Sequence, residues 1–110
     1  MALTLFEYVT SNNDGVMLMA RDEPLLVEAL IQKDAIDGHF DLREASTHDR
    51  QTVVLAHLET FGRIAAGKYE RGELNYHDLA GLRVAHIRVS LFDIKASGLL
   101  RHVGAQRPEA

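Results

Sequence analysis

A chain of 110 residues that is 46% hydrophobic and 25% charged is long enough for one domain with its own buried core and too apolar to be disordered. Its net charge of −4 excludes a strongly basic footprint, and the lack of cysteine excludes a disulfide framework, a thiolate metal site and a cysteine nucleophile. No apolar run approaches the ~18 residues of a membrane span, and the first residues lack a basic region ahead of an apolar one, so a cytoplasmic protein is expected.

Leu3 to Val9 alternates, with Leu3 and Leu5 set against Thr4, Phe6 and Tyr8, and predicts a strand ending at the turn formers Ser11 to Gly15. Val16 to Ala20 is apolar on both faces and reads as an interior strand. Leu25 to Ile31 is open to two readings. As a helix it would start at Pro24; as a strand it would put Leu25, Val27, Ala29 and Ile31 on one face and form a hairpin with residues 16 to 20.

Ser46 to Gly72 is expected to be one long amphipathic helix, about 48–71. At about 100° per residue Val54, Leu58, Phe61, Ala65 and Tyr69 form one stripe, widened by Leu55 and Ile64, while Glu59 and Arg63 point away. Ser46 or Thr47 caps its start, with Asp49 three residues after Ser46, and Lys68, Arg71 and Gly72 suit its end. Its roughly 24 residues at about 1.5 Å each give about 36 Å, enough to span the domain.

Asn75 to Gly81 reads as a loop. Arg83 to Leu91 predicts a half-buried strand with Ala85, Ile87, Val89 and Leu91 on one side and His86, Arg88 and Ser90 on the other. Phe92 to Ala96 adds a helical turn stopped by Gly98, Leu99 to Val103 is ambiguous, and residues 105–110 are expected to fray, which leaves a single domain over 1–104.

The run GVMLMARDEPLLVEALIQKDAIDGHF, the helix ending IAAGKYERGE and the strand HIRVSLFDI resemble a family of short, mostly proteobacterial proteins catalogued only as a domain of unknown function. The likeness covers about three quarters of the chain and is strongest at DAIDGHF and IAAGKY. It departs at Glu73 to Leu82 and after Ile94. It implies a hairpin, and therefore strand for residues 25 to 31, a short helix at about 33–40, the long helix and a closing strand. The resulting expectation is an α+β domain in which an antiparallel sheet of three to four strands packs on the long helix. The family has no assigned activity, so the resemblance implies architecture alone.

Three features bear on function. Gly62 to Lys68 matches G-x-x-x-x-G-K, but Tyr69 follows where a phosphate loop has Ser or Thr, and the pattern lies inside a helix whose amides are already bonded. Six histidines are scattered over the elements with no ligand spacing such as H-x-x-x-H, so no metal, cofactor or catalytic residue is assigned. Residues 1 to 60 hold eleven acids against four Lys and Arg, and residues 61 to 110 five against eight, spread rather than clustered.

Arg50, His57, Ile64 and Lys68 run down one flank of the long helix. With His86 and Arg88 of the closing strand, Arg50, His57 and Lys68 are the candidate contacts for a partner. The leading expectation is a non-enzymatic interaction or regulatory module that self-associates as a homodimer, its apolar tail at Leu99, Leu100 and Val103 covering its own sheet or a second copy's. Nucleic-acid binding through the basic second half is the alternative, and a metal or enzyme site built on His39, His77 or His86 the third.

Overall fold

The computed structural model describes residues 3–99. Five strands, β1 (Glu7–Asn12), β2 (Gly15–Asp22), β3 (Leu25–Gln32), β4 (Asn75–Leu79) and β5 (Leu82–Val89), form one sheet in the order β1-β2-β3-β5-β4. Neighbours pair antiparallel except β3 and β5, which run parallel from Leu26 opposite Val84 to Ile31 opposite Val89. The sheet therefore has five strands and is mixed, not an antiparallel sheet of three or four.

Residues 25 to 31 are strand, paired with β2 in a hairpin from Asp22 opposite Leu25 to Gly15 opposite Gln32. Gly15 is required there. Its φ is 141°, and a Cβ would stand 2.0 Å from the carbonyl oxygen of Ile31. The first strand starts later than its alternation predicts. Thr4 is tied to Arg21 by backbone and side-chain bonds, but Leu5 is 88% exposed and Phe6 is the buried residue.

Between β3 and β4 the chain forms α1 (Lys33–Phe40), α2 (Thr47–Ala56) and α3 (Leu58–Glu70), and α4 (Leu91–Ala96) follows β5. The short helix matches its expected bounds. The helix expected over about 48–71 is instead broken at His57, whose φ of −125° and ψ of 32° leave the α region. Its N–H bonds the carbonyl of Val54, three residues back, and its ring stacks on Phe40 of α1 at 5.6 Å. The break has a geometric reason: an unbroken helix of about 36 Å would overrun strands that are about 26 Å long. With it, α2 lies over β1 and β2 while α3 crosses β1 and β5.

Ser46 and Asp49 form the expected capping box, the Asp49 N–H donating to Ser46 Oγ at 3.0 Å and the Ser46 N–H to Asp49 at 2.9 Å. Ser90 and Asp93 cap α4 in the same way, a box that sequence reading missed, and Gly98 follows α4 with φ 80°.

All four helices share one core with alternate residues of the sheet: Val16, Leu18 and Ala20 of β2, Val27, Ala29 and Ile31 of β3, and Ala85, Ile87 and Val89 of β5. The expected stripe contributes Val54, Phe61 and Ala65, fully buried, with Leu58, Ile64 and Tyr69 at its border, whereas Leu55 is exposed. Gly62 faces Phe6, but a Cβ there would meet the Phe6 Cβ at 3.6 Å, an ordinary contact, so this approach does not require glycine. Leu99 packs on the core and its carbonyl accepts a bond from His39. The readings of Leu100, Val103 and 105–110 lie outside the described residues.

Phe61 is fully buried, while Arg63, two positions on, makes an exposed ion pair with Glu59 at 3.1 Å. Phe61→Ala should therefore cost about 3–5 kcal/mol in denaturant unfolding and Arg63→Ala under about 0.5 kcal/mol. Equal small losses would place the core on the wrong side of α3.

Candidate functional site

The sheet face opposite the helices carries the other half of each strand's alternation. Met17 and Met19 of β2, Leu26, Glu28 and Leu30 of β3, and His86 and Arg88 of β5 stand on it, outside the core. The two methionines, Leu26 and Leu30 are half-buried, and Val84 is buried.

Glu28 stands opposite His86 across the parallel β3–β5 pair, and His77 of β4 lies opposite Val84, one row away. That diagonal brings three side chains together. His86 Nδ1 lies 2.8 Å and His77 Nε2 3.1 Å from the same oxygen, Glu28 Oε1, and the rings meet edge to face at 6.2 Å. The side chains of Glu28 and His86 are 16% and 19% exposed and that of His77 is 45% exposed, so the cluster is seated in the sheet and open on one side.

The segment expected to be a loop from Asn75 is thus strand β4, which pairs with β5 through a two-residue turn. Ala80 (φ 52°) and Gly81 (φ 85°) occupy the left-handed region that such hairpin turns demand. Sequence alone held this signal: pairing outward from Ala80-Gly81 places His77 and His86 on one face. Glu28 could not be found this way, because its position depends on the register of a parallel pair remote in sequence.

The proposed contact strip is dispersed. Arg50 is buried, and its Nε and Nη2 donate to the two carboxylate oxygens of Asp37 at 2.8 and 3.0 Å, joining α2 to α1. The hydrogen bonds to Asp37 and its negative charge raise the Arg50 pKa further. Lys68 donates to Asp93 at 2.7 Å and lies 3.8 Å from Glu73, its side chain largely covered. Burial raises the Asp93 carboxyl, but its bonds from Lys68 and Ser90 outweigh that and hold it below the usual range.

His57 is wedged against Phe40, and its Nε2 is buried without a hydrogen-bond partner among the described residues. Burial, then the charge of nearby His39, pushes its pKa down. His39 is itself buried on α1, in the helical layer, where its Nε2 bonds the Leu99 carbonyl, so it is not brought to the glutamate cluster. Arg88 is exposed on the open face.

A concavity of about 900 Å³ lies between residues 3–6 and α3, lined by Leu3, Phe6, Leu58, Ala66 and Tyr69. The Tyr69 hydroxyl donates to Asp22 at 2.5 Å, and that bond, with burial and the charge of Asp22, pushes the phenol up to about 12. The G-x-x-x-x-G-K pattern lies within α3, as its helical reading requires. Among the described residues no helix is long and apolar enough to cross a membrane.

No family model, curated protein or solved structure matches this chain.

Arg50→Met should destabilise the fold by about 3 kcal/mol in denaturant unfolding, because Asp37 is left without its counter-charge. Adding Asp37→Leu should recover part of the loss; additive losses would show that the pair does not join α1 to α2. Tyr69 should ionise near pH 12 in an ultraviolet titration, and Asp22→Asn should return it toward the ordinary ~10. Its folded pKa is raised, so the stability it contributes is complete below about pH 10 and is lost as pH rises through about 12. A Tyr69 that ionises with the other tyrosines would mean that Asp22 does not hold its hydroxyl in solution.

Proposed function

We propose that this chain is a non-enzymatic interaction module that pairs with a second copy of itself through the open face of its sheet. The observation that carries this reading is the row of half-buried apolar side chains, Met17, Met19, Leu26 and Leu30, on the face that bears no helix among the described residues. Unbranched methionine side chains adapt to a facing surface, and apolar patches rimmed by charge mark association sites. Five strands at about 4.8 Å and eight residues at about 3.3 Å give at most about 600 Å² of flat area. Side-chain relief brings that toward the ~800 Å² per partner of a standard interface.

Two other observations support a binding module over an enzyme. The charged side chains of the helix flank, Arg50 and Lys68, are committed to partners within the chain. The concavity between residues 3–6 and α3 is lined mainly by apolar groups. Nucleic-acid binding gains less support: Arg63, Lys68, Arg71 and Arg83 of the basic second half each face an acid. Membership of the family of unknown function that the chain resembles, and a cytoplasmic location, are parts of the same proposal.

Sedimentation equilibrium tests it. The protein should be a dimer at micromolar concentration, and Leu26→Glu should weaken the dimer at least about tenfold, which is about 1.4 kcal/mol, with an unchanged circular dichroism spectrum. A wild-type monomer at every concentration, or a Leu26→Glu dimer as tight as wild type, would overturn the reading.

A further inference from the structure

The cluster on β3, β4 and β5 has the composition and spacing of a metal site. We propose that Glu28, His77 and His86 bind one divalent first-row transition metal ion of the zinc type, through Glu28 Oε1, His77 Nε2 and His86 Nδ1. The three residues belong to one chain but share the open face with the row proposed to pair, so the Leu26→Glu variant, which leaves that face uncovered, is titrated beside the wild type and should bind the ion as well or better.

The geometry carries it. The three donor atoms all lie within 4.8 Å of one another, with two of the separations at 2.8 and 3.1 Å. Ligands about 2.0–2.1 Å from a tetrahedral ion stand roughly 3.3 Å apart. An ion can therefore enter between the three atoms after side-chain adjustments, with no movement of the strands.

Each donor comes from a different strand of one hydrogen-bonded sheet, a rigid way to fix a ligand set. Two imidazoles and one carboxylate select zinc, cobalt, nickel or copper over magnesium or calcium, which take oxygen ligands.

Binding exchanges two hydrogen bonds for three coordinate bonds. Each ring now directs a nitrogen at Glu28 Oε1; in the complex that nitrogen offers its lone pair to the ion, and the ring's proton resides on its other nitrogen. The coordination is completed from the exposed side, where His77 opens the cluster to water. Asn75 stands opposite His86 in the β4–β5 ladder and is exposed, so it borders that open side. Three protein ligands with one position left to water describe an open site rather than a closed structural one.

The test uses the full chain, freed of metal by chelation and titrated with zinc chloride by calorimetry and with cobalt chloride by visible absorption. The expected result is a plateau at one ion per chain, with the intense absorption of four-coordinate cobalt. His77→Ala, His86→Ala and Glu28→Gln should each weaken binding about tenfold or more, while His48→Ala, an exposed histidine outside the cluster, should leave it unchanged. Because His77 is exposed on an edge strand, His77→Ala keeps the fold, and circular dichroism confirms that for every variant. Ring nitrogen chemical shifts of His77 and His86 should move on zinc addition while those of His48 stay. No saturable binding, binding unaffected by the three variants, or a plateau at one ion per two chains would each overturn a three-ligand site within one chain.

Discussion

The parallel pairing of β3 with β5 is the constraint on which the rest of the architecture depends. β3 is hydrogen-bonded along both edges, antiparallel to β2 and parallel to β5. Parallel neighbours cannot be joined by a tight turn, so the chain must travel the length of the sheet before β5 can begin. That return is made by α1, α2 and α3, which thereby cover one face, and β4 is laid down on the far edge before β5 is inserted. One covered face and one open face follow from the same connection.

The helical layer is joined by charge as well as by apolar contact. Arg50 and Asp37 link α2 to α1, and Lys68 links the end of α3 to the capping aspartate of α4. Such pairs contribute little beyond what apolar residues of similar volume would give, but their geometry is directional. They fix how the helices sit on one another at places where apolar packing would tolerate sliding. Asp93 serves twice, since it accepts the Ser90 backbone N–H that starts α4 and the Lys68 ammonium that docks it.

Sequence patterns made some of this visible and left other parts hidden, for identifiable reasons. The capping box at Ser46 and the buried stripe of α3 are legible because period and turn chemistry agree, whereas residues 25 to 31 are open to helix or strand on period alone, and the β2–β3 hairpin and the short helix are implied only by the resemblance. The break at His57 is not legible. Neither glycine nor proline marks it, and the apolar stripe runs through it in phase; only the length of the sheet beneath requires a bend. β4 is hidden for the opposite reason. Asn75, His77 and Asp78 are turn formers, all five of its side chains are exposed, and its strand conformation comes from pairing with β5. The glutamate cluster inherits the second difficulty, since one histidine lies on the hidden strand, and adds another, since Glu28 is brought in by the parallel register.

β4 has a further consequence for motion. It is held along one side only and buries none of its side chains, so its amides belong to a unit that opens at a free energy well below that of global unfolding. Hydrogen exchange along Asn75 to Leu79 is then governed by fraying of this edge, while β3 exchanges only with the whole domain. Because His77 rides on the fraying strand and Glu28 on the strand that does not, every fraying event also separates the two side chains. Any bond that spans the two transfers some of the persistence of the sheet's centre to its margin.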